Sequence, residues 1–248
     1  FEPPNHRRGG WSGVCRTMLT MADGTEVGVF IKVQENHFYR SWRHLFQQRP
    51  TFEREYRNIQ LFRQHGIPTV EPIYFGCRQV DGKTRAILVT RELSGFHPLG
   101  DDQHVRVSGL KISQRKQLFQ HLASTVRGMH AQGFQHNCLY PKHVFLSMRE
   151  NGVPESCFID LEKARKPIFT SHATVKDLGA LHRHTADCSN TDRLRFFLAY
   201  RQEQKLSPDS KKIIADITRA KRSGRQTLLR TSDPARLPAA ELSIGNPS

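Results

Sequence analysis

Long apolar runs are missing from this 248-residue chain. No stretch of about 18 uncharged, apolar residues occurs, so no transmembrane helix is expected. A basic-then-apolar leader is missing too, and no secretion signal is expected. Cysteine is sparse: Cys15, Cys77, Cys138, Cys157 and Cys188 are five in number, scattered, and never spaced as Cys-x-x-Cys. That pattern argues against a zinc site and for reduced thiols in a cytosolic protein. Acidic residues are in short supply, 23 Asp plus Glu against 38 Lys plus Arg, which leaves a formal net charge of +15. Such a balance suits a polyanionic partner: nucleic acid, an anionic membrane face or a phosphorylated substrate. Neither internal repeats nor low-complexity blocks occur. Aromatics, by contrast, are plentiful; 15 Phe and 2 Trp exclude wholesale disorder. The length suffices to bury a core without disulfide or metal staples.

The first part of the chain alternates strand and turn signals. After a weak start containing Pro3 and Pro4 comes a glycine patch, Gly9-Gly10-Trp11-Ser12-Gly13. Residues 14–21 have strand character, and Asp23-Gly24 is a tight-turn pair. Val27-Gly28-Val29-Phe30-Ile31-Lys32-Val33 has the β-branched and aromatic content of a second strand, with Lys32 near its end. A helix is expected from about Thr51 to Gln64, with Pro50 before it and Gly66 after it. Phe52, Tyr56, Ile59 and Phe62 recur on one side of that helix. Glu55 falls on the same inward arc, whereas Glu53 sits about a quarter-turn outside it. Strands near 73–78 and 85–90 follow, joined by the Asp81-Gly82 turn.

The second half changes character. Ser113 is placed to cap a helix that runs to about Ala131, with Leu118, Leu122, Val126 and Met129 on its core face and Gly133 at its end. A loop, Phe134-Gln135-His136-Asn137-Cys138-Leu139-Tyr140-Pro141-Lys142-His143, leads into a short strand, Val144-Phe145-Leu146. After the Asn151-Gly152 turn a return strand, Cys157-Phe158-Ile159, ends on Asp160. The hairpin should therefore bring His143, at its entry, close to Asp160, at its exit. Further helices are expected near 174–184, 190–204 and 208–223, and a flexible tail from Thr231 on.

Phosphoryl transfer needs backbone amides over the phosphates, a cation pairing them, a carboxylate fixing that cation, and ligands for magnesium. In order, the chain supplies Gly9, Gly10 and Gly13, then Lys32, Glu55 and Asp160. Singly each has a plainer meaning. A glycine patch is usually a loop, a strand-end lysine is usually solvated, and an Asp after a strand often caps the next turn. Glu55 is harder to dismiss, because an unpaired charge on an apolar helix face is costly. The conjunction carries the weight.

At these residues the chain resembles the bacterial lipopolysaccharide core sugar kinases of the InaA/WaaP-like group. The resemblance runs over roughly residues 9–205. It is clearest in Phe30-Ile31-Lys32, Glu55-Tyr56-Arg57-Asn58, Gly66-Ile67-Pro68-Thr69, Met129-His130-Ala131-Gln132-Gly133-Phe134-Gln135-His136 and Ile159-Asp160-Leu161-Glu162-Lys163-Ala164. It implies an α+β, two-lobed protein-kinase-like fold. A small antiparallel-sheet lobe with one helix would span 1–92 and a larger, mainly helical lobe 93–230, with 231–248 a tail. It also implies ATP and Mg²⁺ as cofactors, and as acceptor a heptose or Kdo sugar of the lipopolysaccharide core on lipid A. The setting would be the cytoplasmic side of the inner membrane of a Gram-negative bacterium. By the same resemblance Lys32 matches the lysine that holds the α and β phosphates, and Glu55 its helix partner. Asp160 matches the metal-binding Asp, and His136 the His that opens the catalytic loop. The hinge facing adenine would fall near Thr90–Leu93, which makes Glu92 a cofactor-binding candidate beside Gly10 and Gly13.

Two departures stand out in that alignment. Cys138 occupies the position of the catalytic Asp, and His143 that of the metal-binding Asn. A thiol with a reference pKa of about 8.5 does not simply replace a carboxylate; imidazole binds metals, but magnesium prefers oxygen. His136, Cys138, His143 and Asp160 are therefore the catalytic candidates, with His143 and Asp160 as metal ligands. His143, Glu162 or Asp177 are candidate substitutes for the missing base, and Lys142 for neutralising the γ-phosphate. The alternative is a pseudokinase of the same fold acting as a regulatory or stress-response interaction protein. The basic surface, including Arg40, Arg43 and Arg49 interleaved with Phe38, Tyr39, Trp42, Leu45 and Phe46, suits peripheral contact with an anionic inner-membrane surface. Nucleic acid is set aside as a partner, because no nucleic-acid-binding motif accompanies the charge.

Overall fold

Two tight turns fold the first half of the chain into a sheet. At Asp23-Gly24, Gly24 adopts φ +81° and the Asp23 carboxylate accepts from the N–H and hydroxyl of Thr25. Asp81 and Gly82 both take positive φ, the requirement of a two-residue hairpin turn. A computed structural model describes residues 5–7, 9–40, 48–99, 107–149, 152–168, 170–184 and 188–231. Strands β1 (Asn5–Arg7), β2 (Gly10–Thr20) and β3 (Glu26–Glu35) are followed by a small hairpin, β4 (Phe38–Arg40) and β5 (Gln48–Pro50). Helix α1 (Thr51–Gln64) then leads to β6 (Pro72–Val80) and β7 (Lys83–Arg91). The five-stranded sheet has the order β1-β2-β3-β7-β6, antiparallel throughout.

Beyond it, β8 (His97–Pro98) and α2 (Ile112–Ala131) precede β9 (Val144–Met148) and β10 (Pro154–Phe158), which form a three-stranded sheet ordered β10-β9-β8. Helices α3 (Thr170–His184), α4 (Asn190–Arg201) and α5 (Pro208–Thr231) complete the described residues. Leu118, Leu122, Val126 and Met129 of α2 are buried as their spacing predicts. They pack with Ile59 and Phe62 of α1, Phe158 of β10 and Phe197 of α4 in one apolar cluster that runs through both halves.

Several local expectations need correction. The glycine patch is not a loop: Gly10 opens β2 and Gly13 pairs with Val33 inside the sheet, leaving only Gly9, at φ +78°, in the turn. Gly10 is needed for packing, because a Cβ there would run into the backbone of Asn36. Ser113 does not cap α2; the helix starts one residue earlier, and the Gln114 side chain accepts from the Lys111 N–H. Helix α5 continues past residue 223 to Thr231, so only 232–248 of the anticipated tail is left, outside the described residues. Asn151, and Trp42, Arg43, Leu45 and Phe46 of the aromatic–arginine run, also lie outside them.

Candidate active site

Alternation along β3 puts Gly28, Phe30, Lys32 and Gln34 on one face of the sheet. Their antiparallel partners Met18, Arg16, Val14 and Ser12 share that face. Helix α1 packs there. It has no side-chain cap of its own at Pro50; instead the buried Gln34 amide oxygen accepts from the Phe52 N–H and the Thr51 hydroxyl, each at 2.9 Å. The Gln34 NH₂ donates to the His37 carbonyl. One strand side chain thus caps the helix and fixes it against the strand that carries Lys32.

Glu55 emerges from the buried side of α1 and meets Lys32, with Nζ to Oε1 at 2.5 Å. Burial opposes the Lys32 ammonium, but the Glu55 carboxylate, with Asp160 and Glu162 behind it, outweighs that and raises its pKa above the ordinary value. Burial pushes the Glu55 carboxyl up, with Lys32 pulling it back down. Glu53, outside the apolar arc, pairs with Arg49 on the surface side.

The same helix positions the acid after the second hairpin. Asn58 Nδ2 donates to the carbonyls of Leu161 and Ala164 at 2.7 and 2.9 Å. Arg54 pairs with Glu162 at 2.7 Å and stacks under the Tyr39 ring. The Phe158 N–H donates to the Pro68 carbonyl just beyond α1. Asp160 therefore sits between a downstream turn held by α1 and an upstream strand end held by Pro68 and His143. It adopts φ +56°, ψ 56°, a left-handed conformation that Asp tolerates better than most residues, and its side chain is 41% exposed.

His143 faces it, with Nε2 3.2 Å from Asp160 Oδ2. Its Nδ1 lies 2.9 Å from the Cys138 carbonyl, which can only accept, so Nδ1 carries the hydrogen. Burial lowers the His143 pKa, so the ring is neutral near pH 7 and Nε2 offers a lone pair toward a carboxylate. Two acceptors facing each other fit a shared cation. One imidazole nitrogen and one carboxylate oxygen leave the remaining positions of a divalent ion to phosphate and water; the carboxylate is the oxygen donor Mg²⁺ prefers, and the imidazole nitrogen is the departure from it. Among the described residues no group of three or more His, Cys, Asp or Glu could hold a metal on protein donors alone.

The other catalytic-loop candidates lie behind this surface. His136 is fully buried; its Nε2 donates to the Ile159 carbonyl at 3.0 Å, and burial lowers its pKa. It braces the residue before Asp160, which makes it a positioning residue rather than a group that touches reactants. Cys138 is 8% exposed, and its carbonyl serves His143. Asp177 is not available as a base. Entirely buried, it accepts from the backbone N–H groups of His136 and Asn137 at 2.7 and 2.8 Å and lies 3.2 Å from His130 Nε2. It anchors the loop; the sequence offers no local sign of that, since the bond spans some 40 residues. Lys142 is exposed beside His143. At the far end of the same sheet face, Glu92 forms a two-pronged pair with Arg16 at 2.5 and 2.8 Å.

A small antiparallel sheet braced by one helix, a buried Lys–Glu pair, and an acid held in a left-handed conformation across from it define a two-lobed, protein-kinase-like fold. The solved structure of WaaP in complex with acyl carrier protein matches it with a TM-score of 0.63 at 22% identity, covering 88% of this chain and 86% of that one. The chain belongs to the lipopolysaccharide kinase (Kdo/WaaP) family, whose model matches residues 1–200. Membership assigns it to the phosphotransferases that act on the lipopolysaccharide core. Protein InaA of Escherichia coli (strain K12) is 29% identical over 193 residues, which are 77% of this chain and 85% of that protein. Among the described residues no helix is long and apolar enough to cross a membrane.

Proposed function

We propose that this protein transfers the γ-phosphate of ATP to a hydroxyl of an inner-core heptose or Kdo sugar, at the cytoplasmic face of the inner membrane. In this reading residues 1–92 form the nucleotide-binding lobe and 93–230 the lobe that carries the catalytic loop. The observation that carries it is the buried Lys32–Glu55 pair with Asp160 acting on the same charge. Lys32 would hold the α and β phosphates, and Glu55 keeps its ammonium in place. Asp160 and His143 fit Mg²⁺, which would neutralise phosphate charge when bound. The loose transition state of phosphoryl transfer rewards positioning and charge neutralisation over a strong base. That leaves room for an enzyme with Cys138 at the usual aspartate position. Of the candidate substitutes for the base, Asp177 is committed to backbone amides and Glu162 to Arg54, which leaves His143, 3.2 Å from Asp160. Peripheral attachment to anionic lipid agrees with the net charge of +15.

A pseudokinase has one observation in its favour: the residue at the catalytic acid position is a cysteine whose surface is almost wholly buried. Mass spectrometry of core oligosaccharide from cells with and without the gene separates the two. Loss of one phosphate in the deletion supports the kinase; unchanged phosphorylation supports the pseudokinase.

A further inference from the structure

The cleft face of the sheet has a direction. Arg16, paired with Glu92, lies at one end; Val14, opposite Lys32, is in the middle; Ser12, opposite Gln34, is at the other. Arg16 to Ser12 is four residues of strand, about 13 Å. A nucleotide laid from the Glu92 end to Lys32 would direct its terminal phosphate toward Ser12. A cavity of about 1150 Å³ opens there, under the Gly9 turn, between the β4–β5 hairpin, the start of α1 and the turn after Asp160. Phe52 lines it and also lies 6.0 Å from the Lys32 ammonium. Phe52 therefore stands between the cavity and Lys32, which does not itself line it.

The lining has the chemistry of a sugar site. Ser12, Asn36 and Gln48 bring a hydroxyl and two carboxamides, which suit vicinal hydroxyls. Tyr39 brings an aromatic side chain; Glu162 also lines the cavity and offsets the charge of Arg54, its ion-pair partner, so Lys163 is the cation left to meet phosphate or carboxylate. The volume of about 1150 Å³ exceeds the range of about 300–1,000 Å³ usual for small ligands, with room for more than one ring.

Resting on the kinase reading above, the geometry points to this cavity as the acceptor subsite, holding an anionic, polyhydroxylated sugar of the inner core with its reactive hydroxyl toward Lys32. Tyr39 of β4 and Gln48 of β5 then form a specificity wall, joined to the site through the Tyr39–Arg54–Glu162 contacts.

The test is calorimetry on the full-length protein with deacylated inner-core oligosaccharide, a neutral glucan of similar size, and ATP·Mg²⁺. Gln48→Trp, which fills the cavity, should weaken oligosaccharide binding at least tenfold and leave nucleotide affinity within twofold. Lys163→Ala should weaken it severalfold and narrow the preference over neutral glucan. Oligosaccharide affinity unchanged in both variants overturns the assignment, as does a wild type that binds nucleotide and no oligosaccharide. Should Gln48→Trp fail to fold, Lys163→Ala with Ser12→Ala decides. Oligosaccharide binding that responds to these variants, in a protein that binds no nucleotide, would keep the subsite and discard the kinase.

Discussion

Removing Lys32 should steepen the fall in stability with rising pH that burial of Glu55 already imposes. Glu55 is 3% exposed and has Lys32 as its counter-charge at 2.5 Å. Breaking a buried pair by deleting one partner costs about 3–5 kcal/mol while the survivor stays charged. In Lys32→Met the carboxyl can avoid that by keeping its proton. Its folded-state pKa, already raised by burial, rises further, while the unfolded value stays near the reference of 4.5. Above that value the unfolded chain releases a proton that the folded protein retains, so stability falls as pH rises, by about 1.4 kcal/mol per unit. Dividing the penalty by that slope spreads the loss over about 2–4 units, from near pH 4.5 to pH 7 or 8. Urea unfolding of Lys32→Met at pH 5 should show little loss relative to wild type, and at pH 8 the full loss. Lys32→Met/Glu55→Leu should remove the dependence. A Lys32→Met penalty equal at the two pH values, within about 0.5 kcal/mol, would refute the burial of this pair.

Asp177→Asn leaves one of two buried backbone N–H groups facing an amide donor; a loss of about 3–5 kcal/mol is expected in urea unfolding, and a loss under 1 would contradict the anchor. Gln34→Leu strands the Phe52 N–H and the His37 carbonyl and should cost about 2–4 kcal/mol. It should also weaken ATP·Mg²⁺ binding, because α1 carries Glu55; unchanged binding by calorimetry would sever that link. His136 has a pKa lowered by burial from the reference of 6.5. Below about pH 6.5 the unfolded state takes up a proton that the folded ring refuses, so wild-type stability should fall on acidification. His136→Gln should show a shallower fall between pH 6.5 and 5 in the same assay, and identical slopes would count against neutral burial of the ring.

The parts of this site that were legible in the sequence are those with a local period. Lys32 in a β-branched run and Glu55 on an apolar helical arc follow from strand and helix spacing, and the antiparallel pairing of β9 with β10 brings His143 back toward Asp160. What escaped notice has no local signature. Strands β1, β4, β5 and β8 are two or three residues long and exist because neighbours hydrogen-bond to them. The glycine patch has loop composition, yet pairing with β3 makes most of it strand. Gln34 shares a strand face with Lys32, and that period of two was the one sign that it bears on the site. Asp177, Arg54 and Asn58 act across 40 to 108 residues of chain, through bonds that only the folded packing creates. Asp177 shows the consequence: a carboxylate in the right region invites assignment as a base, and only its burial against two amides reveals an anchor.

The central claim is that Lys32, Glu55, His143 and Asp160 make a working phosphoryl-transfer site despite Cys138. It is tested most directly by incubating the purified protein with ATP, Mg²⁺ and deacylated inner-core oligosaccharide and weighing the sugar product. The account predicts a mass gain of one phosphate with wild type and none with Asp160→Asn. Wild-type protein that binds ATP and leaves the oligosaccharide unmodified would contradict it.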